Sequence, residues 1–402
     1  MLYQYRSLVR ARIAVFAQFA CFGLVLATWA VHLPSVQHNT GASTSLLATL
    51  LLILGVGALI GMQICGVLLD RYSGGVIAIA ALPLMAALVV VPLAMTIWAH
   101  AALAVVVFGV SSGISEVAMN AAALDVERRY GRPIMGAFHG VFSVGNVVGS
   151  LISAAGFAVG AGVTATAGAV AVLCLIVIGA TATGLLGGRR TDAPTAASRS
   201  APISEQTDRR SSKRRVVFLG ALVFLLFLSE GSAMDWSSLH AQEHLGASPT
   251  LGALAFGFFV GAMTIGRFSV DQLAARVGPV RVIRWGSLAA ATGLALVMTS
   301  PALPLTLLGW TIAGLGIAGG VPQVFTAAGN SGAASGRTLS QVVGIGYLAI
   351  LAGPSAIGWL AAVVSLNTAF VVPLGAVLIC VPMAGVIDDP RRTASAPSHV
   401  TG

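Results

Sequence analysis

With 402 residues, 57% of them hydrophobic and 9% charged, at a mean hydropathy of +0.92, the chain has too little polar surface to clothe a water-soluble core of its size. Soluble globular and disordered classes are excluded, and the chain reads as an integral membrane protein. The net charge of +9 does not point to nucleic acid, because the basic residues are scattered among short connections between apolar runs, without interleaved aromatics or a recognition motif.

A bilayer core is crossed by about 20 helical residues, so the apolar runs can be taken as spans near 12–34, 45–69, 76–98, 101–124, 134–158 and 163–186. The first run is too long for a signal-peptide core and has no small-residue cleavage pattern behind it, so it is expected to be a retained span. A polar stretch follows at 187–215, rich in Ser, Pro, Ala and Arg and without apolar periodicity, as a flexible linker would be. Six more spans are expected near 216–239, 250–273, 282–300, 304–327, 339–363 and 368–387. The expected fold is an all-α membrane protein of twelve transmembrane helices in two pseudo-symmetric six-helix halves, 1–186 and 216–402, the second ending in a short cytoplasmic tail.

Orientation follows from the basic residues. With the N-terminus inside, every Lys and Arg but Arg267 falls in an inner connection or terminus, and Arg267 falls near the inner end of span 8. Both termini and the linker are therefore expected in the cytoplasm. His38, His100 and His244 fall at outer connections with His32 and His240 just inside them; most are read as solvated loop histidines, with external pH sensing as the alternative. Cys21, Cys65, Cys174 and Cys380 lie inside apolar runs and match no metal spacing, so free, packed thiols are expected.

Spans 2 and 8 carry one glycine ladder, Gly57, Gly61 and Gly66 against Gly257, Gly261 and Gly266. Spans 4 and 10 also correspond, with Gly109, Gly113 and Glu116 against Gly316, Gly320 and Gln323. Small residues at this spacing allow close helix packing in lipid, and their recurrence in register marks an internal repeat. At the inner end of span 2 stands GVLLDRYSG, with Gly66, Asp70 and Arg71; at the inner end of span 8 stands GRFSVDQLAARVG, with Gly266, Arg267, Asp271 and Arg276. A carboxylate there can accept hydrogen bonds from arginines or a helix N-terminus of the other half, making a cytoplasmic latch.

Six helices, a linker, six helices and the Gly-x-x-x-Asp-Arg motif together resemble the major facilitator superfamily over essentially the whole chain. The glycine of that motif has slipped to Gly74, and the basic residues expected after it are replaced by Gly75 and Val76. The resemblance implies a substrate path lined by helices 1, 4, 7 and 10. Intramembrane polar groups fall on those helices: Trp29 and His32, Glu116 and Asn120, Glu230, Asp235 and Trp236, and Gln323. Helix 5 adds His139, Ser143 and Asn146 on one stripe, which either knits helices together or contacts solute. Trp29 and Trp236 are either interfacial aromatics or stacking walls of a site.

No Lys or Arg is expected at the depth of the carboxylates. A carboxyl withdrawn from water in this way favours its neutral form and ionises when a cavity admits water, which makes a proton carrier. Glu116 is the first candidate, with Glu230 and Asp235 behind it. The Glu-x-x-x-Asn spacing of Glu116 and Asn120 resembles the fucose-permease branch, where a glutamate at the matching position takes part in proton coupling; Ala121 stands where that branch has proline. The chain also resembles a bacterial branch linked to rhizopine-type, inositol-derived compounds. Helix 4 lacks the arginine of proton-antiporting drug exporters, and the helix 5 glycine motif is half met, by Gly136, Gly145 and Gly149 with Ser150 in place of proline.

The expected function is a secondary active transporter of a small organic solute, proton-coupled, working as a monomer by alternating access in the inner membrane. No cofactor, metal or nucleic acid is expected. The alternatives are a drug or metabolite exporter of the same superfamily, a solute receptor that does not transport, and an intramembrane enzyme, for which neither a nucleophile–base set nor a metal cluster is evident.

Overall fold

The computed structural model describes residues 2–131, 134–186, 207–329 and 335–388. Most of the expected linker, 187–206, lies outside the described residues with Arg132, Arg189, Arg190, Arg199, Arg391 and Arg392; so do the side chains of Arg6, Arg209, Arg210, Lys213 and Arg337. No strand occurs among the described residues. Twelve helices are long and apolar enough to cross a membrane: α1 Ser7–Thr40, α2 Thr44–Leu69, α3 Gly74–Ala94, α4 Trp98–Tyr130, α5 Met135–Ala158, α6 Val163–Thr181, α7 Arg214–Leu245, α8 Pro249–Val277, α9 Pro279–Thr299, α10 Leu303–Ala328, α11 Gln341–Ala361 and α12 Leu366–Ile387. The helix bearing α7 begins at Thr207, inside the stretch read as linker. With twelve spans running in alternate directions, the start of α1 and the end of α12 lie at one face of the bundle, the terminal face, opposite the far face.

The ends of these helices follow from local chemistry. Ser43, Ser73 and Ser248 cap α2, α3 and α8, each hydroxyl accepting from the backbone N–H three residues on. Pro249 and Pro279 occupy first turns, where their missing N–H costs nothing. Gly131 ends α4 at φ +70°, a left-handed conformation that a side chain would strain. α10 is broken inside, helical over Leu303–Ile317 and again over Gly320–Gly329 with the turn at Ala318 and Gly319 just before Gln323, while α3 and α12 carry single-residue turns at Val89 and Phe370.

Glycine sets close crossings between spans. α2 and α4 meet backbone to backbone, so that a Cβ at Gly57 would lie 2.8 Å from the Val106 carbonyl, while Gly109 and Gly113 face the carbonyls of Leu54 and Ala58. The second half does not repeat this contact, although its sequence repeats the ladder. Gly257 and Gly261 face Ser150 and Val147 of α5, across the boundary between halves, and the α8–α10 crossing is made by Gly314 against the Phe259 carbonyl. Gly66 faces nothing. The halves join along α2 with α11, α5 with α8, and α1 with α7.

All four cysteines are buried and unpaired in disulfides, as small hydrophobes would be.

Candidate transport site

Two carboxylates stand inside the bundle, in different settings. Glu116, on α4 one turn beyond the glycines that hold α4 to α2, accepts a hydrogen bond at 3.0 Å from the Tyr347 hydroxyl of α11. That bond crosses from one half to the other. No Lys or Arg pairs with Glu116 among the described residues. Asn120 lies on the same face, half-buried, and donates to the Glu116 backbone carbonyl at 2.8 Å.

Glu230 corrects the expectation that no cation reaches the depth of the carboxylates. Its Oε1 lies 2.6 Å from Nη2 of Arg267 on α8, and only 10% of its side chain is exposed. The motif at the end of span 8 puts Arg267 in a latch at the inner surface; instead it reaches into the bundle, pairing with Glu230 and donating a long 3.5 Å contact from Nη1 to Ser143 of α5. The pair is made by one oxygen and one nitrogen, and Glu230 Oε2 and Arg267 Nε are buried without a partner among the described residues. A buried charge is tolerated only when a neighbour compensates it, and here the compensation is a single strong contact.

The remaining residues scatter in depth and role. His139 is exposed, its ring edge-on to Phe19 at 5.2 Å. Asn146 is buried beneath it on α5, donating to the Phe142 carbonyl and leaving Oδ1 unpartnered. Gln323 follows the break in α10 and is 8% exposed. Asp235 is half-buried and makes no ion pair among the described residues. The two tryptophans sit within packed walls: Trp29 is tilted on Phe108 at 5.6 Å, and Trp236 donates to the Pro354 carbonyl at 3.0 Å. His32 is wholly buried, with Nδ1 on the Thr28 carbonyl and its ring 4.8 Å from Phe157, so it is no loop histidine.

Toward the far face the halves are tied directly. Ser238 of α7 donates to the Val31 carbonyl of α1 at 3.4 Å, Gln37 of α1 donates to Glu243 of α7 at 3.5 Å, and Trp359 of α11 donates to Thr49 of α2 at 3.2 Å. At the terminal face Asp70, Arg71, Asp271 and Arg276 are exposed, and Gly266 packs on Ala318 of its own half. A carboxylate that no sequence motif singles out does cap a helix there: Glu127 accepts from the backbone N–H groups of Ile134 and Met135, at 2.7 and 2.8 Å, where α5 begins.

Twelve spans in two halves, closed together at one face and enclosing charged groups between them, form the architecture of a membrane carrier. The family model described as Major Facilitator Superfamily matches residues 13–354, and the chain belongs to that family. It is a multi-pass membrane protein and a secondary transporter. It is 33% identical over 355 residues to an MFS-type transporter of Yersinia pestis, covering 88% of this chain and 89% of the relative. It is 30% identical over 395 residues to the membrane protein MosC of Rhizobium meliloti, covering 94% and 90%. Among solved structures, a point mutant of the nucleoside transporter NupG superposes with a TM-score of 0.72 at 13% identity, over 95% of this chain and 100% of that one. A bacterial homologue of the human lysosomal transporter Spinster, in an inward-facing, unoccupied conformation, superposes at 0.68 with 15% identity, over 96% and 97%. These likenesses establish the fold.

Proposed function

We propose that the protein moves a small organic solute by alternating access, coupled to protons through Glu116. The observation that carries this reading is the Glu116–Tyr347 hydrogen bond: a carboxyl with no cation beside it among the described residues, inside a bundle, bonded to the opposite half. An ionised carboxylate there costs at least ~2.5–3.5 kcal/mol unless water or a partner compensates it. Protonation removes that cost, and any rocking of the halves changes the partner, so proton occupancy and conformation are linked through one side chain. Asn120, His139, Asn146 and Gln323 contact the solute, while Trp29, His32 and Trp236 hold the walls around it.

The clustering of Arg in the terminal-face connections supports a cytoplasmic position for that face, with both termini and the linker there, in a bacterial inner membrane. The far-face ties support an inward-facing state, and Asp70 and Arg71 with Asp271 and Arg276 form the latch that closes the cytoplasmic side in the opposite state. The carrier functions as a monomer of two rigid halves, 1–186 and 216–402.

The test uses the full chain in proteoliposomes, after a melting-shift screen of sugars, polyols, amines and drugs has supplied a solute. Glu116→Gln retains the Tyr347 contact in shape, so solute exchange at equal concentration on both sides should persist while accumulation driven by a proton gradient is lost. Full gradient-driven accumulation by the variant would overturn the proton role.

A further inference from the structure

The far end of α7 holds a second polar cluster, outside the proposed transport site. His240 is wholly buried, its ring clamped edge-on between Trp310 at 6.0 Å and Phe370 at 5.2 Å. Its Nε2 meets Asn367 Oδ1 at 2.9 Å, and the amide of Asn367 is itself oriented, because its Nδ2 donates to the Met298 carbonyl at 3.1 Å. An amide oxygen can only accept, so Nε2 carries the hydrogen. Nδ1 is buried and has no partner among the described residues. A hydrogen there would be a donor without an acceptor, so the ring is neutral and Nδ1 presents a lone pair.

One turn on, His244 is exposed at the end of the helix, and its ring centre lies 5.2 Å from that of His240 with the planes 33° apart. Two neighbouring imidazoles on one ion, with metal–nitrogen bonds of about 2.05 Å and ring centres about 1.1 Å further out, stand about 5.1 Å apart at a tetrahedral angle and about 4.5 Å apart at the 90° angle of a tetragonal ion, a span the exposed His244 side chain can close. A ligand histidine is commonly held by an oxygen acceptor on its other nitrogen, which fixes the tautomer and aims the ring. Asn367 supplies that acceptor.

We propose that His240 Nδ1 and His244 form a two-histidine site for a borderline divalent transition ion, Cu²⁺, Ni²⁺ or Zn²⁺, at the far face of α7. Among the described residues no group of three metal-ligating side chains occurs, so the remaining positions fall to water on the exposed His244 side, away from the buried His240 ring. His244, being exposed, gives the ion its route in, and the ion spans residues on either side of Glu243, which ties α7 to Gln37 of α1.

The experiment titrates tag-free, full-length protein in detergent with Cu²⁺ and follows it by electron paramagnetic resonance. One ion per chain is expected, with hyperfine structure from two imidazole nitrogens. His244→Ala, at an exposed position that does not threaten folding, should weaken binding at least ~10-fold; Asn367→Ala should weaken it about 10- to 100-fold through loss of ring orientation. The exposed His38→Ala and His100→Ala variants should bind as the parent does. Equal affinity in the parent and His244→Ala, or a spectrum with one nitrogen, would overturn the assignment.

Discussion

Glu116 on α4 and Glu230 on α7 are the same side chain withdrawn into the same bundle, and their neighbours differ in kind. Glu230 has a guanidinium 2.6 Å away, supplied by its own half. Glu116 has a phenol 3.0 Å away, supplied by the other half. A guanidinium stays charged under all working conditions and so favours an anionic partner. A phenol hydroxyl donates to a carboxylate and can equally rotate to accept from a carboxylic acid, so it suits both protonation states. Depth in the membrane therefore does not make a carboxyl a proton carrier; the chemistry of the partner does, and whether that partner moves with the group or away from it. On this ground we propose Glu116 as the proton carrier and Glu230 as a fixed charge that holds Arg267 in place.

Removing the fixed partner should have the largest effect. Arg267→Ala strands an anion in a buried position, at a cost of about 3–5 kcal/mol. Melting of the purified protein should fall sharply. The double variant Glu230→Leu with Arg267→Met, which removes both charges at similar volume, should recover most of that loss in the same assay. If the single variant melts like the parent, the pair does not compensate Glu230 and the contrast between the two carboxylates fails.

Tyr347→Phe sharpens the other side of the contrast. A hydrogen bond to a charged group contributes about 1.5–3 kcal/mol and one between neutral groups about 0.5–1.5. A double-mutant cycle with Glu116→Gln, read by melting, thus reports which form of Glu116 Tyr347 faces. A coupling energy near zero would show that the two side chains do not interact.

A third substitution tests what positions Glu116. A Cβ at Gly113 would fall on the Ala58 carbonyl of α2, so Gly113→Ala should push α4 from α2 and cost about 1–3 kcal/mol. Gly66→Ala, in open space on the same helix pair, should stay within about 0.5 kcal/mol. Equal melting shifts for the two would mean that the crossing is not closely packed.

These outcomes also bear on how much of the molecule could be read from its sequence. The twelve spans and their division into halves were legible, because hydrocarbon imposes a length and a composition on each helix. The carboxylates were legible too, since an acidic residue inside an apolar run stands out. Their partners were not. Arg267 sits too close to the end of its run to be placed by depth, and only the fold shows its long side chain turned inward to Glu230. Tyr347 carries a usable signal, a lone tyrosine within α11, but a phenol in an apolar helix looks like packing until Glu116 is seen beside it. The glycine ladders show the same limit. Their register repeats between halves, yet α2 turns its glycines to α4 while α8 turns Gly257 and Gly261 to α5, because helix rotation is set by three-dimensional neighbours rather than by the ladder itself.

Ser143→Ala is the mildest test, and it separates an ion pair from a tie between the halves. The Arg267–Ser143 contact is 3.5 Å long, at the edge of what counts as a hydrogen bond, and the serine hydroxyl also donates to the His139 carbonyl of its own helix at 3.2 Å. Its loss should move melting by no more than about 0.5 kcal/mol. Transport rate, measured by counterflow, should likewise remain near that of the parent, because the guanidinium is held by Glu230 within its own half. A large fall in rate with melting unchanged would show instead that Arg267 acts across α5 and α8. In that event the fixed charge would itself sense the motion of the halves, and Glu116 would share that role rather than hold it alone.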